Sequence, residues 1–193
     1  MYIAIEGIDG VGKSTQLALL QEHLPNCIVT KEPGGTPFGL KLRKMLLNNN
    51  NFSKETEILL FLADRAEHRD KVLLPHLKEG KTIISDRSFI SGIAYANNSF
   101  SDDQLIDLNR FALANLFPHK VIFLTLDETK IEARFEHRDE AKDHIEQRGL
   151  RYLISVQNKM HEVLNHTNIP YIKIDATLSI ETIAKQIKEF LDD

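Results

Sequence analysis

The chain has 193 residues, 42% hydrophobic and 27% charged, which is long enough for one substantial α/β core and short for two. A formal charge of −4 and an isoelectric point near 6.1 supply no broad basic face, which argues against nucleic-acid and anionic-membrane partners. The single cysteine, Cys27, lies in the apolar run Cys27-Ile28-Val29, reads as a small buried residue and excludes a disulfide scaffold within one chain. With no long apolar segment and no charged-then-apolar leader, the expected setting is reducing, soluble and cytoplasmic.

The first element is the strand Tyr2-Ile3-Ala4-Ile5-Glu6. Gly7-Ile8-Asp9-Gly10-Val11-Gly12-Lys13-Ser14 follows, and then an apolar-periodic helix from Thr15 to Leu24. The spacing GxxxxGK[ST] between a strand and a helix is the pattern of a phosphate-binding loop. Gly7, Gly10 and Gly12 open backbone conformations closed to residues with a Cβ. The successive N–H groups of the loop, running through Val11 into Thr15, then cradle phosphate oxygens at a helix N-terminus. Lys13 adds a point charge toward the β- and γ-phosphates, and the Ser14 hydroxyl is a ligand for Mg²⁺. A nucleoside triphosphate is the expected ligand.

Cys27 to Thr30 is a short β-rich run that ends in Lys31-Glu32-Pro33-Gly34-Gly35-Thr36-Pro37, a loop at the carboxyl end of a second strand. Ligands of open parallel sheets bind at that edge. Leu40, Leu42, Met45 and Leu46 mark a short amphipathic helix carrying Lys41, Arg43 and Lys44; on this pattern alone Arg43 is a solvated surface residue. Ser53 is an N-cap for a helix from Lys54 to about Leu74, with Ile58, Leu59, Leu62 and Ala66 on one face. Phe61 and Arg65 are four apart, so they project one turn above the other, where a ring and a guanidinium can meet one planar ligand. From spacing alone, a core phenylalanine beside a surface arginine is the commoner arrangement.

Lys81-Thr82-Ile83-Ile84-Ser85 is a buried parallel strand that ends in Asp86-Arg87-Ser88. An acidic residue at such a tip, next to a phosphate loop, is placed to hold Mg²⁺ through water, and Arg87 to clamp a second phosphate. An Asp-Arg ion pair capping the strand is the structural alternative. Ser91 and Tyr95 follow in helix. Ser101-Asp102-Asp103-Gln104 is a capping box before a helix with Leu105, Leu108 and Ala112 on one face. The strand from His119 to Leu126 is next, and Asp127 caps the helix after it. From Ile131 to Arg151 charge is dense, with Arg134, Arg138, Lys142, Arg148 and Arg151 alternating with carboxylates. That segment is either a helix solvated on most sides or a lid, around 134–151, whose arginines close over a transferring phosphoryl group. Tyr171-Ile172-Lys173-Ile174-Asp175 is a fifth strand, and Ile180, Ile183, Ala184, Ile187 and Leu191 give the clearest helical stripe. Five strands separated by crossovers imply one α/β domain over residues 1–193, a five-stranded parallel sheet with helices on both faces.

These residues resemble the bacterial thymidylate kinases, which pass the γ-phosphoryl of ATP to dTMP. The resemblance runs from Ile5-Glu6-Gly7-Ile8-Asp9-Gly10 through Lys31-Glu32-Pro33-Gly34-Gly35-Thr36, Phe61-Leu62-Ala63-Asp64-Arg65, Asp86-Arg87 and Ser91-Gly92-Ile93-Ala94-Tyr95 to Asp143-His144-Ile145-Glu146. The order and spacing of these motifs carry it. It implies a P-loop NTPase fold of the nucleoside monophosphate kinase type, ATP and Mg²⁺ as cofactors, a homodimer and a role in dTTP synthesis. It also implies that Asp9 contacts the 3′-hydroxyl of dTMP, that Arg43 and Arg87 hold its phosphate, that Phe61 stacks on thymine and that Arg65 bonds its O4. Ser91 and Tyr95 would line the thymidine pocket, Tyr95 excluding ribose, and Arg134 and Arg138 would belong to the lid over ATP. The absence of an arginine among Ile8 to Val11 matches the form of the family whose catalytic arginines lie in that lid. Ser88 stands where a tyrosine is usual, His144 and Lys31 where arginines are usual, and Ala96 where a glutamine is common.

Two other readings compete. A kinase for a nucleoside or for another monophosphate differs in whether it requires an acceptor phosphate. A GTP-dependent switch needs Asn-Lys-x-Asp after a strand, and the near match Asn158-Lys159-Met160-His161 lacks the acidic residue.

Overall fold

The structure, a computed structural model, describes residues 1–48, 52–96, 100–131 and 149–192. The strands are β1 (Tyr2–Glu6), β2 (Ile28–Lys31), β3 (Ile83–Asp86), β4 (Lys120–Thr125) and β5 (Tyr171–Asp175). They form one parallel sheet in the order β2-β3-β1-β4-β5. All five β1 residues are buried, as are five of the six in β4, so both faces of the central strands are covered. This is why they read as continuous apolar runs rather than alternating ones. Helix α1 (Lys13–His23) packs with α8 (Ile180–Asp192), while α3 (Lys54–His68), α5 (Phe89–Tyr95), α6 (Asp102–Leu113) and α7 (Leu150–His166) form a second packed group. α2 (Pro37–Leu47) lies against α3. Strand order reverses between β1 and β3, the position at which parallel sheets open a crevice for ligands at their carboxyl ends.

Local chemistry sets the element boundaries. Ser53 accepts from the backbone N–H of Thr56, and Ser101 and Gln104 form the expected capping box. The helix after Ser53 does not run unbroken to Leu74. It passes into a π-helical turn at Arg69–Leu73 and then α4 (Leu74–Lys78). Pro75 explains the change, because its ring crowds the carbonyl four residues back and a wider turn relieves the clash. Two predicted faces also shift. Leu40 and Met45 on α2 and Leu59 on α3 are exposed, whereas Gly39, Leu42, Leu46 and Ile58 are buried. Cys27 is only half-buried, and burial raises its thiol. In α8 the stripe buries Ile183 and Ile187 while Ile180 stays exposed. No helix among the described residues is long and apolar enough to cross a membrane.

Candidate active site

The loop from Gly7 to Gly12 leaves the end of β1 beside Leu124 of β4. A Cβ at Gly7 would sit 2.5 Å from the Leu124 carbonyl oxygen, so only glycine fits there. Gly12, at φ 95°, caps α1 in the left-handed region. The next residue, Lys13, is buried, and its Nζ donates to the carbonyls of Gly7 (3.0 Å) and Ile8 (2.9 Å). Burial and the neighbouring Arg87 draw its ammonium down to about 8, against the opposing pull of Asp9, Asp86 and Glu6. Ser14 and Thr15 are exposed and line the same cavity as Lys13, Gly10, Gly12 and Asp86. Val11, expected among the loop residues that bind the nucleotide, sends its side chain into the core and is not among the residues lining this cavity.

At the tip of β3, Arg87 takes φ 71°, which is uncommon outside glycine, and several bonds hold it there. Its N–H donates to Ile5 O (2.9 Å), and its carbonyl accepts from the Ser85 hydroxyl (2.7 Å). Its Nη1 donates to Gly7 O (3.1 Å) and Ser91 Oγ (3.0 Å), and its Nη2 to Asp9 Oδ1 (2.7 Å). Asp9 Oδ2 accepts from the Tyr95 hydroxyl (3.3 Å). Burial works to raise the Asp9 carboxyl, yet Arg87 and Lys13 outweigh it and hold the group at about 2. Asp86 Oδ1 is a buried oxygen with no hydrogen-bond partner among the described residues. An orphaned carboxylate oxygen in the cavity of Lys13 and Ser14 suits a divalent cation, and Ser14 with Asp86 are the residues that would hold it.

A second cavity adjoins the first. Phe61, Arg65, Ser91, Gly92 and Tyr95 are among its walls, and it shares Asp9, Glu32, Arg43 and Arg87 with the phosphate-loop cavity. Two ligands, one in each, would meet at those four side chains. Arg43 is not simply solvated: it is half-buried, and its Nη1 donates to the Pro33 carbonyl (3.1 Å). The spacing argument for Phe61 and Arg65 is also inverted, because the arginine is 2% exposed and the phenylalanine is the half-buried partner.

Known proteins match this arrangement along its whole length. A sequence model of the thymidylate kinase family matches residues 5–187. The chain belongs to the thymidylate kinase family. It is 50% identical to the thymidylate kinase of Aliarcobacter butzleri, over 100% of this chain and 99% of that protein. To the thymidylate kinase of Campylobacter jejuni subsp. doylei it is 49% identical, over 99% and 100%. The crystal structure of thymidylate kinase from Ehrlichia chaffeensis superposes with a TM-score of 0.80 at 25% identity, covering 100% of this chain and 98% of that one. Membership makes the protein a nucleoside monophosphate kinase with dTMP as acceptor and a P-loop kinase fold.

Of the thymidylate kinase residues expected from sequence, Asp9, Lys13, Ser14, Arg43, Phe61, Arg65, Asp86, Arg87, Ser91 and Tyr95 all line one or both cavities. Arg134 and Arg138, with 134–148 of the expected lid and His144 within it, lie outside the described residues. Ser91 has a more specific place than the wall of a pocket, since its hydroxyl donates to Glu6 Oε2 (2.5 Å) while accepting from Arg87. Glu6 also accepts from the Ser88 hydroxyl (2.7 Å), and burial raises its carboxyl. The Ser88 that replaces a usual tyrosine is therefore buried with its hydroxyl on Glu6, at the wall of the second cavity. Sequence reading gave Glu6 no role, although a carboxylate closing an otherwise apolar inner strand is a visible signal. Glu32, His68, Asp64 and Asn109 were also missed. Asp64 accepts from the Gly34 N–H (3.1 Å), and burial with nearby Glu32 pushes its carboxyl up to about 6.

Proposed function

We propose that this chain transfers the γ-phosphoryl of ATP to dTMP, with ATP and Mg²⁺ in the phosphate-loop cavity and dTMP in the adjoining one. The observation that carries this reading is the sharing of Asp9, Arg43 and Arg87 by both cavities, which brings a donor and an acceptor phosphate to one cluster of charge. Phosphoryl transfer needs positioning and charge neutralisation more than covalent participation, and the cluster is built for both. The loop N–H groups and Lys13 bind the donor phosphates, with Gly7, Gly10 and Gly12 giving the backbone its approach. Ser14 and Asp86 are the residues that would hold Mg²⁺, which would supply charge neutralisation at the donor phosphates. Arg87 and Arg43 orient the acceptor phosphate, and Ser91, anchored on Glu6, keeps Arg87 aimed. Asp9 receives the sugar 3′-hydroxyl, Tyr95 stands beside it against ribose, Phe61 stacks on thymine and Arg65 reads O4. Arg134 and Arg138 are proposed to complete the neutralisation from a lid over 134–151, as part of one domain spanning residues 1–193.

We further infer a cytoplasmic homodimer. Exposed apolar side chains on the packed pair α3 and α6, Leu59, Leu108 and Phe111, the last 86% exposed, support a second copy as partner. Light scattering at micromolar concentration reads the stoichiometry directly, and a monomer at every concentration would reject it.

The test of function is ATP consumption with Mg²⁺ against dTMP, dUMP, dCMP, dGMP, thymidine and no acceptor. Turnover concentrated on dTMP is expected. Turnover with thymidine but not dTMP would mean that Arg43 and Arg87 do not hold an acceptor phosphate. Phe61→Ala should raise the KM for dTMP about 10-fold or more, the scale of a lost base stack, and leave the KM for ATP unchanged. Equal changes in both would make Phe61 a packing residue.

The pH profile follows from Lys13. Its ammonium must be charged to meet phosphate, and in the free protein it is held down at about 8. The kcat/KM for ATP, which reports the free protein, should therefore fall as pH rises through about 8. At saturating ATP the bound phosphates keep the proton on, so kcat should hold to higher pH. The same fall through about 8 in Lys13→Arg, whose guanidinium stays charged there, would show that another group sets the limb, and a wild type flat to higher pH would show that Lys13 is not held down.

A further inference from the structure

Arg65 is held on three sides by buried groups. Nε donates to Glu32 Oε2 (2.7 Å), Nη1 to Asn109 Oδ1 (2.5 Å) and Nη2 to the Ser88 carbonyl (3.3 Å). Glu32 is itself fixed by His68 Nδ1 (2.9 Å), whose Nε2 meets Thr30 Oγ1 (2.7 Å), and Asn109 donates to the Leu105 carbonyl (2.7 Å). Burial alone would raise the Glu32 carboxyl, but Arg65 and His68 bring it below its ordinary value, so it stays an anionic anchor. A guanidinium carries five N–H donors, and these partners take three, leaving one on each terminal nitrogen.

The remaining side is closed by Gly92 of α5. A Cβ at this position would lie 2.7 Å from Arg65 Nη2, closer than Cβ atoms come, and 3.1 Å from Nη1 and 3.3 Å from Cζ, both tight, so the anchored guanidinium would have to shift. Gly92 sits inside a helix, where glycine is less favourable than alanine, and it is not among the positive-φ residues, so the backbone gives no reason for it. The guanidinium does. Gly92 and Arg65 share the wall of the acceptor cavity.

We propose that Gly92 is a specificity-determining residue for the acceptor base and acts through Arg65: the missing side chain gives the anchored guanidinium its seat at the cavity wall, where it selects a base edge carrying a carbonyl oxygen over one carrying an amino group. The inference rests on the reading of Arg65 as the base-contacting residue. Because arginine only donates, an exocyclic carbonyl is accepted and an exocyclic amino group meets an unpaired donor. Glu32 and Asn109 are positioning residues of the same seat.

The experiment compares steady-state kinetics on dTMP, dCMP and ATP for the wild type, Gly92→Ala, Arg65→Gln and the double variant. Gly92→Ala should raise the KM for dTMP about 10-fold, keep kcat and the KM for ATP within about twofold, and lower the dTMP-to-dCMP ratio of kcat/KM by a similar factor. In the Arg65→Gln background the same substitution should change nothing further. If Arg65→Gln does not fold, because Glu32 is left buried with His68 as its remaining partner, Arg65→Gln with Glu32→Gln removes both charges and serves as the background. An unchanged KM for dTMP in Gly92→Ala, an equal rise in both KM values, or full additivity with Arg65→Gln would each overturn the role of Gly92. A wild type that does not prefer dTMP to dCMP would instead overturn the reading of Arg65 on which it stands.

Discussion

Lys13→Ala is expected to lower kcat on the order of 10³-fold while leaving the thermal midpoint close to that of the wild type. The two halves of this expectation have one cause. The ammonium is buried beside Arg87, where its charge is disfavoured, so removing it relieves a desolvated cation while giving up its bonds to the Gly7 and Ile8 carbonyls, and the two effects offset. The sign agrees. A lysine whose folded value lies below its unfolded one makes the folded state less favourable as pH falls from 10.5 to about 8, the penalty being complete below that interval, and it is absent in the variant. On the proposed role, the same cation meets the donor phosphates in the transition state. Single-turnover phosphoryl transfer and a thermal melt on the same sample check both halves. Near-normal turnover would remove Lys13 from the mechanism, and a lost melt would make it structural.

Arg87→Ala should be the next most damaging change, lowering kcat/KM for dTMP by about 10² to 10³-fold. The guanidinium bridges the Gly7 carbonyl, Ser91 and Asp9 with 2.7–3.1 Å bonds, so on its proposed role its loss removes the ligand of the acceptor phosphate as well as a shared partner of Asp9 and Ser91. Stability should also fall near neutral pH. The Asp9 carboxyl lies at about 2 rather than 3.8, a contribution present above its unfolded value and lost as pH falls toward 2. The stability difference between wild type and variant should accordingly shrink across that acidic interval. Denaturant titrations at neutral pH and near pH 3 test this. A constant difference would mean that Asp9 is not held down by Arg87.

Much of this was legible from local pattern. The phosphate loop, the five strands, the Ser101 capping box and the tip at Asp86-Arg87 depend on residues adjacent in the chain, where spacing fixes geometry. What failed depends on residues distant in the chain. Phe61 and Arg65 do share one side of α3, but periodicity does not say what lies opposite, and the buried carboxylate of Glu32, 33 residues away, draws the arginine inward. Asn109, 44 residues further on, gives no signal at all because an asparagine on a helix is ordinarily solvated. Leu59 and Leu108 fit a helical stripe and are exposed all the same, since a stripe marks which side is apolar and not whether this chain covers it. Pro75 was visible, and its effect on the preceding turn follows from ring sterics alone.

The left-handed backbone at Arg87 sets stability and activity against each other at one position. Glycine is the residue that φ 71° favours, and a conformation of this kind disfavours an arginine by about 1–3 kcal/mol. Glycine would relax the turn but discard the guanidinium. Selection for thermal tolerance alone would thus erode the site from the backbone outward, and directed evolution toward a hardier enzyme should find its gains elsewhere in the sheet while this residue stays fixed.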